Sequence, residues 1–272
     1  MELATGRLVL AAGLVLLLAA SLRSVRRSWL ALSGREALAV AAAGLLLGVH
    51  FATWFESLQH ISVVASVTLV STAPLFAAGL GWLFLGERLR PRVWVGLLVA
   101  LIGTSILASG NVPSSGANDP LLGGLLAVAG AASIAAYLTL LRDLRPRHDL
   151  LPLVALTYSG AALTLFSLLL VSGRETPSWT FLTLGTPLST TGSRGGTQPG
   201  APEFWLWLAP LLLALGPQLI GHSAFNWSLR RLPAALVAVA VLGEPVGSTL
   251  LAWLILGETP TLQEGLGGAV IL

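Results

Sequence analysis

Residues 82–87, Trp-Leu-Phe-Leu-Gly-Glu, recur 171 positions later as Trp-Leu-Ile-Leu-Gly-Glu. The stretches 57–101 and 228–272 can be laid against each other without a gap, and both are almost wholly apolar up to the Gly-Glu. Prolines occupy the same place in both copies, namely Pro74 and Pro245. A duplicated unit of bilayer-length helices is typical of secondary transporters, in which the substrate site lies between the repeats.

The composition indicates a membrane protein. Of the 272 residues, 55% are hydrophobic and only 10% are charged, whereas soluble domains carry roughly 25% charged residues. All basic residues are arginines, they lie mostly in short loops, and the net charge is only +3. We therefore expect no nucleic-acid partner. The chain has no cysteine, which excludes disulfides and cysteine-based metal sites.

Apolar segments of about 20 residues, the length that spans a bilayer, follow one another along the chain. We expect spans near residues 3–22, 36–58, 61–85, 92–110, 120–141, 149–172, 204–229 and 233–256, and a ninth that begins at about 261. The loops after the first, third, fifth and seventh spans hold twelve of the fifteen arginines. Those loops are therefore predicted to be cytoplasmic, which places Met1 and Arg7 outside.

The two copies begin five helices apart, so they are expected to cross the membrane in opposite senses as an inverted repeat of two five-helix bundles. We expect a first repeat over residues 1–110 that lacks its opening helix, and a second over 111–272 whose last helix is truncated. About nine of ten spans would then be present. The Ser-, Thr-, Gly- and Pro-rich segment 173–203 is interpreted as a flexible external loop. An alternative for residues 1–22 is a signal peptide.

Several stretches resemble a known family. They are Pro74 with the following Trp-Leu-Phe-Leu-Gly-Glu-Arg-Leu, residues 221–230 (Gly-His-Ser-Ala-Phe-Asn-Trp-Ser-Leu-Arg), and Leu-Gly-Glu-Pro at 242–245. In these, the chain resembles the EamA-type exporters of the drug/metabolite transporter superfamily. The resemblance implies five plus five helices around a central cavity and export of small metabolites by alternating access. It does not fix the substrate, since the superfamily handles amino acids, sugars, nucleotide sugars and drugs.

Four polar residues of the seventh and eighth spans are candidate substrate-binding residues. Gln218, His222 and Asn226 recur every four residues and share one helix face. Glu244 lies within its span beside Pro245, which kinks a helix and frees a backbone carbonyl. Ionisable groups cost about 2.5–3.5 kcal/mol to insert in a membrane, so each needs a reason. The alternatives are interhelical hydrogen bonding for the first three and a protonated structural carboxyl for Glu244.

His50 and Trp54 share a face of the second span, the repeat partner of the seventh. We expect both faces to meet at the pseudo-twofold axis and to line one site. Tyr137 and Tyr158 are further candidates to line the cavity. For all of them, hydrogen bonding between helices is the alternative interpretation.

Three other local patterns predict structural roles. Ser71 and Thr72, just before Pro74, are expected to bond to their own helix. Glu87 closes the first Gly-Glu motif, where a capping or interfacial role is expected. Gly44-x-x-x-Gly48 is a small-residue pattern typical of helix contacts.

A transporter is the leading functional hypothesis. The rival is an intramembrane enzyme that uses His50, His222 and Glu244 on a lipid-linked substrate, and an inactive fragment is the third alternative. No H-E-x-x-H spacing and no phosphate loop occur in the sequence. We expect no catalytic residues, no metal and no cofactor.

The expected location is the bacterial cytoplasmic (inner) membrane, with several passes through the bilayer. The expected partners are a small-molecule substrate and the lipid bilayer. Protons are the candidate coupling ion, and a homodimer is the candidate assembly.

Overall fold

A computed structural model describes residues 2–109, 119–171, 211–251 and 259–271, together with residues 208, 253 and 254. All regular elements in these ranges are helices. The external loop predicted at 173–203 and the Gly-Glu at 257–258 lie outside the described residues. In chain order the helices are α1 (Glu2–Ser21), α2 (Arg23–Leu30), α3 (Gly34–Ser57), α4 (Val63–Val70), α5 (Ala73–Leu85), α6 (Pro91–Ser109), α7 (Pro120–Leu144), α8 (Leu150–Val171), α9 (Ala214–His222), α10 (Ser223–Ser228), α11 (Ala234–Val241), α12 (Glu244–Leu251) and α13 (Leu262–Ile271).

Five segments in the described part of the chain are long and apolar enough to cross a membrane. Three are single helices, namely α3, α7 and α8. The other two are residues 65–85, which join α4 to α5, and residues 234–251, which join α11 to α12. The pair α1 and α2 makes a sixth if it counts as one span. The predicted class, an all-α polytopic membrane protein, is confirmed.

The loop after the first span contains a helix that the sequence analysis did not predict. α2 is bent by 97° from α1, and its charged residues Arg23, Arg26 and Arg27 are exposed. Its Val25 is buried, while the Trp29 indole donates to the Pro152 carbonyl at 3.0 Å. An amphipathic helix of this kind is suited to the membrane interface, with its apolar side against the bundle.

The repeat found in the sequence returns in the helix bounds. α4 ends at Val70 and α5 begins at Ala73, whereas α11 ends at Val241 and α12 begins at Glu244, in each case 171 positions later. The starts of α4 and α11, and those of α6 and α13, are separated by the same number of residues. Two segments related in sequence are therefore broken at equivalent places.

The break between α4 and α5 combines two hydroxyl side chains with a proline. The Ser71 and Thr72 hydroxyls donate to carbonyl oxygens of the preceding turn, at 2.8 and 2.6 Å, which agrees with the predicted back-bonding. Pro74 then lies in the first turn of α5, where its missing N–H removes no helix hydrogen bond. At the other end of α5, Gly86 adopts a φ of 65°, a left-handed conformation that glycine adopts at low cost.

Helices α3, α7 and α8 form the centre of the bundle, and small residues bring α3 against α8. A Cβ added to Gly44 would lie 3.0 Å from the Gly160 Cα, and one added to Gly48 would lie 2.6 Å from the Thr164 Cβ. The helix contact predicted from the Gly44-x-x-x-Gly48 spacing is therefore confirmed. Contacts also join α1 to α8, α5 to α11 and α6 to α13.

Candidate functional site

The segment that holds three of the predicted site residues is not a regular α-helix. α9 is a π-helix that contains Pro217 and continues into the α-helix α10 at Ser223. Proline has no N–H to donate to the helix, and π-helical turns occur frequently at functional sites. Gln218 and Asn226 are fully buried, while His222 is partly exposed.

An aromatic contact brings the two histidines of the predicted site together. The Phe51 ring lies 5.6 Å from the ring of His222, edge to face, and 5.0 Å from the ring of His50. The Trp54 ring stacks on His50 at 5.8 Å. The residues His50, Trp54 and His222, which were predicted from two separate spans, thus meet across the α3–α9 boundary, with Phe51 between them.

The tautomer of His50 follows from its partner. Its Nδ1 lies 2.9 Å from the carbonyl oxygen of Gly130 on α7. A carbonyl only accepts hydrogen bonds, so Nδ1 carries the proton. In the neutral imidazole, Nε2 is then left as an acceptor.

Arg7 joins this group, although the sequence analysis assigned it to the outside. Its guanidinium carbon lies 4.9 Å from the centroid of the Phe51 ring, within the range of a cation–π contact. Arg7 also interacts electrostatically with Glu244, the first residue of α12, and with His222. Counting arginines by loop cannot detect such a role. The signal available in the sequence was an arginine followed directly by an apolar run.

We call Arg7, His50, Phe51, Trp54, His222 and Glu244 the central cluster. Its members come from α1, α3, α9 and α12, hence from both halves of the chain. Four of the six predicted site residues belong to it. Gln218 lies one turn before His222 on α9, and Asn226 takes part in a different set of contacts.

Asn226 belongs to a network of hydrogen bonds at the end of α7. The Tyr137 hydroxyl donates to its side-chain oxygen at 2.8 Å, and Arg145 Nε donates to its backbone carbonyl at 2.9 Å. Arg142 donates to a Glu87 carboxylate oxygen at 2.7 Å and to the Leu229 carbonyl at 2.8 Å. We call Glu87, Tyr137, Arg142, Arg145 and Asn226 the arginine network.

The arginine network lies on the side of the bundle that the sequence analysis predicted to be cytoplasmic. Glu87 serves there as an ion-pair partner between α5 and α7. Arg145 is only 2% exposed. Burial lowers the pKa of its guanidinium, with Arg230 acting in the same direction and Asp149 opposing it. The hydrogen bonds of the network join helix ends, which is a structural role.

Tyr158 of α8 contacts the segment formed by α9 and α10. Its hydroxyl lies 3.2 Å from the backbone carbonyl of Gln218 and 3.2 Å from the hydroxyl of Ser223. It therefore fixes the position of α9 relative to α8. The Gln218 side chain does not take part in these bonds.

Within the described residues, a few buried side-chain polar atoms have no hydrogen-bond partner. They are Nε of Arg7, Nε1 of Trp54, Nδ1 of His60, both amide atoms of Gln218 and Nδ2 of Asn226. Such atoms are uncommon in proteins, and each calls for an explanation. Two of the six belong to the central cluster, and two more belong to Gln218 beside it. The described residues contain no group of three or more His, Cys, Asp or Glu that could hold a metal ion.

Comparisons with known proteins identify the family. The model of the EamA-like transporter family matches residues 1–109 and 121–272. The uncharacterized transporter YdfC of Bacillus subtilis (strain 168) is 26% identical over 213 residues, which cover 78% of this chain and 61% of that relative. An uncharacterized transporter of Archaeoglobus fulgidus is 24% identical over 221 residues, which cover 81% and 68% of the two chains.

The match therefore spans less than two thirds of the length of the B. subtilis relative. One solved crystal structure superposes with a TM-score of 0.71 at 24% identity, over 99% of this chain and 84% of that chain. At that identity the likeness shows the fold alone. The family match covers nearly the whole sequence, and so this chain belongs to the EamA-like transporter family, within the drug/metabolite transporter superfamily, and is an integral membrane protein.

Proposed function

We propose that this protein is a secondary transporter that exports small metabolites across the bacterial cytoplasmic membrane by alternating access. Its cargo would be amino acids, related compounds or drugs. The proposed substrate-binding residues are His50, Trp54, Gln218, His222, Asn226 and Glu244. Matches to transporters favour this function over an intramembrane enzyme.

The observation that carries the proposal is the placement of polar groups inside the spans. The central cluster brings together two imidazoles, an indole and a guanidinium from α1, α3 and α9. The carboxyl of Glu244, an exposed residue at the start of α12, interacts electrostatically with that guanidinium. Ionisable side chains are rare in membrane spans and mark substrate or ion pathways there. Two polar atoms of the cluster, Nε of Arg7 and Nε1 of Trp54, have no hydrogen-bond partner in the described residues.

The repeated helix bounds support alternating access. We propose that residues 1–110 and 111–272 are two inverted repeats and that the site lies between them. Transporters of this kind bind cargo beside broken helices near the bilayer midplane. The break before Glu244, which repeats the one before Ala73, has that character.

Proton coupling is the part of the proposal that Glu244 would carry. The equivalent position of the first repeat, 171 residues earlier, is Ala73, whose side chain cannot carry a proton. The Glu244 carboxyl could therefore load and release one proton per cycle. Glu244→Gln should then abolish flux driven by a pH gradient while solute binding persists. Equal flux in both proteins at every pH would exclude this coupling.

Transport itself is testable with purified protein in liposomes. We expect counterflow of radiolabelled L-amino acids to depend on the wild-type protein and to fall strongly in Trp54→Ala and His222→Ala. Trp82→Ala is the matched control, since Trp82 is 62% exposed on the outer surface of the bundle. If all three variants lose flux equally, or none does, the central cluster is not the transport site.

A further inference from the structure

Arg7 is a cation that the six proposed binding residues do not include. Its Nε is buried and has no hydrogen-bond partner among the described residues, and its guanidinium rests on the face of Phe51. A guanidinium has five N–H donors in a planar fork. Arg7 as a whole is only partly buried, but a buried guanidinium nitrogen that leaves its donor unused is uncommon.

The residues described around Arg7 contact its guanidinium but do not accept hydrogen bonds from its planar fork of N–H donors. The Phe51 ring supports one face of the guanidinium and accepts no N–H in the plane of the fork. Glu244 interacts with Arg7 electrostatically, but no ion pair within 4 Å joins the two among the described residues. The other arginines inside the bundle, Arg142 and Arg145, are in contrast bonded to protein oxygens.

We propose that Arg7 is an anion-recognition residue of the transport site and that it binds a carboxylate of the cargo. This inference rests on the proposed transport function and adds a substrate class to it. The planar fork matches the two oxygens of a carboxylate. In addition, Phe51, Trp54 and His222 offer aromatic surfaces to the body of the solute.

The charge balance favours a monoanion over a phosphate dianion. Arg7 is the one guanidinium in the central cluster. A phosphate dianion bound there would leave one charge uncompensated. A carboxylate, in contrast, is neutralised by one guanidinium.

The test uses three probes of nearly equal size and shape: benzoate, benzamide and benzylamine. Their binding to the full chain in detergent can be followed by tryptophan fluorescence near neutral pH. We expect wild-type protein to bind benzoate at least about tenfold more tightly than benzamide, because a bidentate charge-assisted pair replaces a neutral contact. Benzylamine should bind most weakly to Arg7.

Arg7→Gln should remove the preference for benzoate and leave the affinity for benzamide nearly unchanged. Arg23→Gln, at an exposed arginine of α2, is the matched control and should keep the preference. Arg7→Lys serves if Arg7→Gln does not fold. It should bind benzoate several-fold more weakly than wild type, since an ammonium lacks the fork.

Three results would overturn the proposal: no binding of benzoate to wild-type protein, no preference over benzamide, or an unchanged preference in Arg7→Gln or Arg7→Lys. Different results would refute the carboxylate site and the transport function. Counterflow by the wild type together with an Arg7-independent benzoate affinity refutes only the carboxylate site. Arg7-dependent benzoate binding without counterflow of any radiolabelled amino acid or of benzoate refutes only transport.

Discussion

Two sets of polar side chains lie inside this bundle, and they differ in how completely they are paired. In the arginine network, Arg142 and Tyr137 donate to protein oxygens at 2.7–2.8 Å. In the central cluster, Arg7 and Trp54 each bury a nitrogen that has no partner in the described residues. Burying polar groups without hydrogen bonds is costly in both places. Among the described residues, the arginine network recovers more of that cost through hydrogen bonds to the protein.

The difference suggests how to separate structural from functional polar residues in this fold. Paired groups should affect stability when removed, because their partners are left unsatisfied. Unpaired groups should affect stability little and affect solute binding strongly. Asn226 combines both, since its side-chain oxygen is bonded to Tyr137 while its amide nitrogen has no partner among the described residues.

The largest effect on stability is expected at Arg142. Arg142→Gln removes the ion pair with Glu87 and weakens the bond to the Leu229 carbonyl. Hydrogen bonds to charged groups contribute about 1.5–3 kcal/mol, so the free energy of unfolding should fall by about that amount. Unfolding of the purified protein in detergent measures it. Arg88→Gln, at an exposed arginine, is the control, and equal stability of the two variants would contradict a structural role for the network.

A smaller loss is expected when the Tyr137 hydroxyl is removed. Interhelical hydrogen bonds in membranes contribute about 0.6 kcal/mol on average and at most about 1.7. Tyr137→Phe should lower the free energy of unfolding within that range. A double-mutant cycle with Asn226→Ala isolates the bond, because the two changes should be non-additive. Strict additivity would show that the 2.8 Å contact carries no coupling energy.

The smallest change in stability is expected at Gln218. Its amide is fully buried, and neither side-chain atom has a hydrogen-bond partner among the described residues, so Gln218→Leu removes a desolvated polar group and no side-chain hydrogen bond seen there. The free energy of unfolding should stay equal or rise, by less than about 1 kcal/mol. Counterflow should nevertheless decrease. A large loss of stability would reveal a protein partner for this amide and move Gln218 into the structural set.

Local patterns were enough to predict most of the long helices and one of their contacts. The kink predicted at Pro245 agrees with the break before Glu244, because proline acts within one turn of itself. The Gly44 and Gly48 spacing predicted the contact with α8, since only small residues allow such a close approach.

Tertiary placement was not predictable in the same way. Arg7 was counted as a loop charge, whereas its position depends on Phe51, which is distant in sequence. The periodicity that joined Asn226 to His222 was real, but the partner that decides the role of Asn226 is Tyr137 on another helix. α2 was not predicted, because the sequence of this eight-residue amphipathic helix resembles that of an arginine-rich loop.

One experiment tests most directly the claim that the central cluster, which is incompletely paired, binds cargo while the arginine network holds the fold. Counterflow of radiolabelled L-amino acids and thermal unfolding are measured on the same preparations of His222→Ala and Tyr137→Phe. His222→Ala should lose at least about tenfold in flux per folded protein and keep its melting temperature. Tyr137→Phe should lower the melting temperature and keep its flux per folded protein. If flux falls only in proportion to stability in both variants, the distinction between the two regions is wrong.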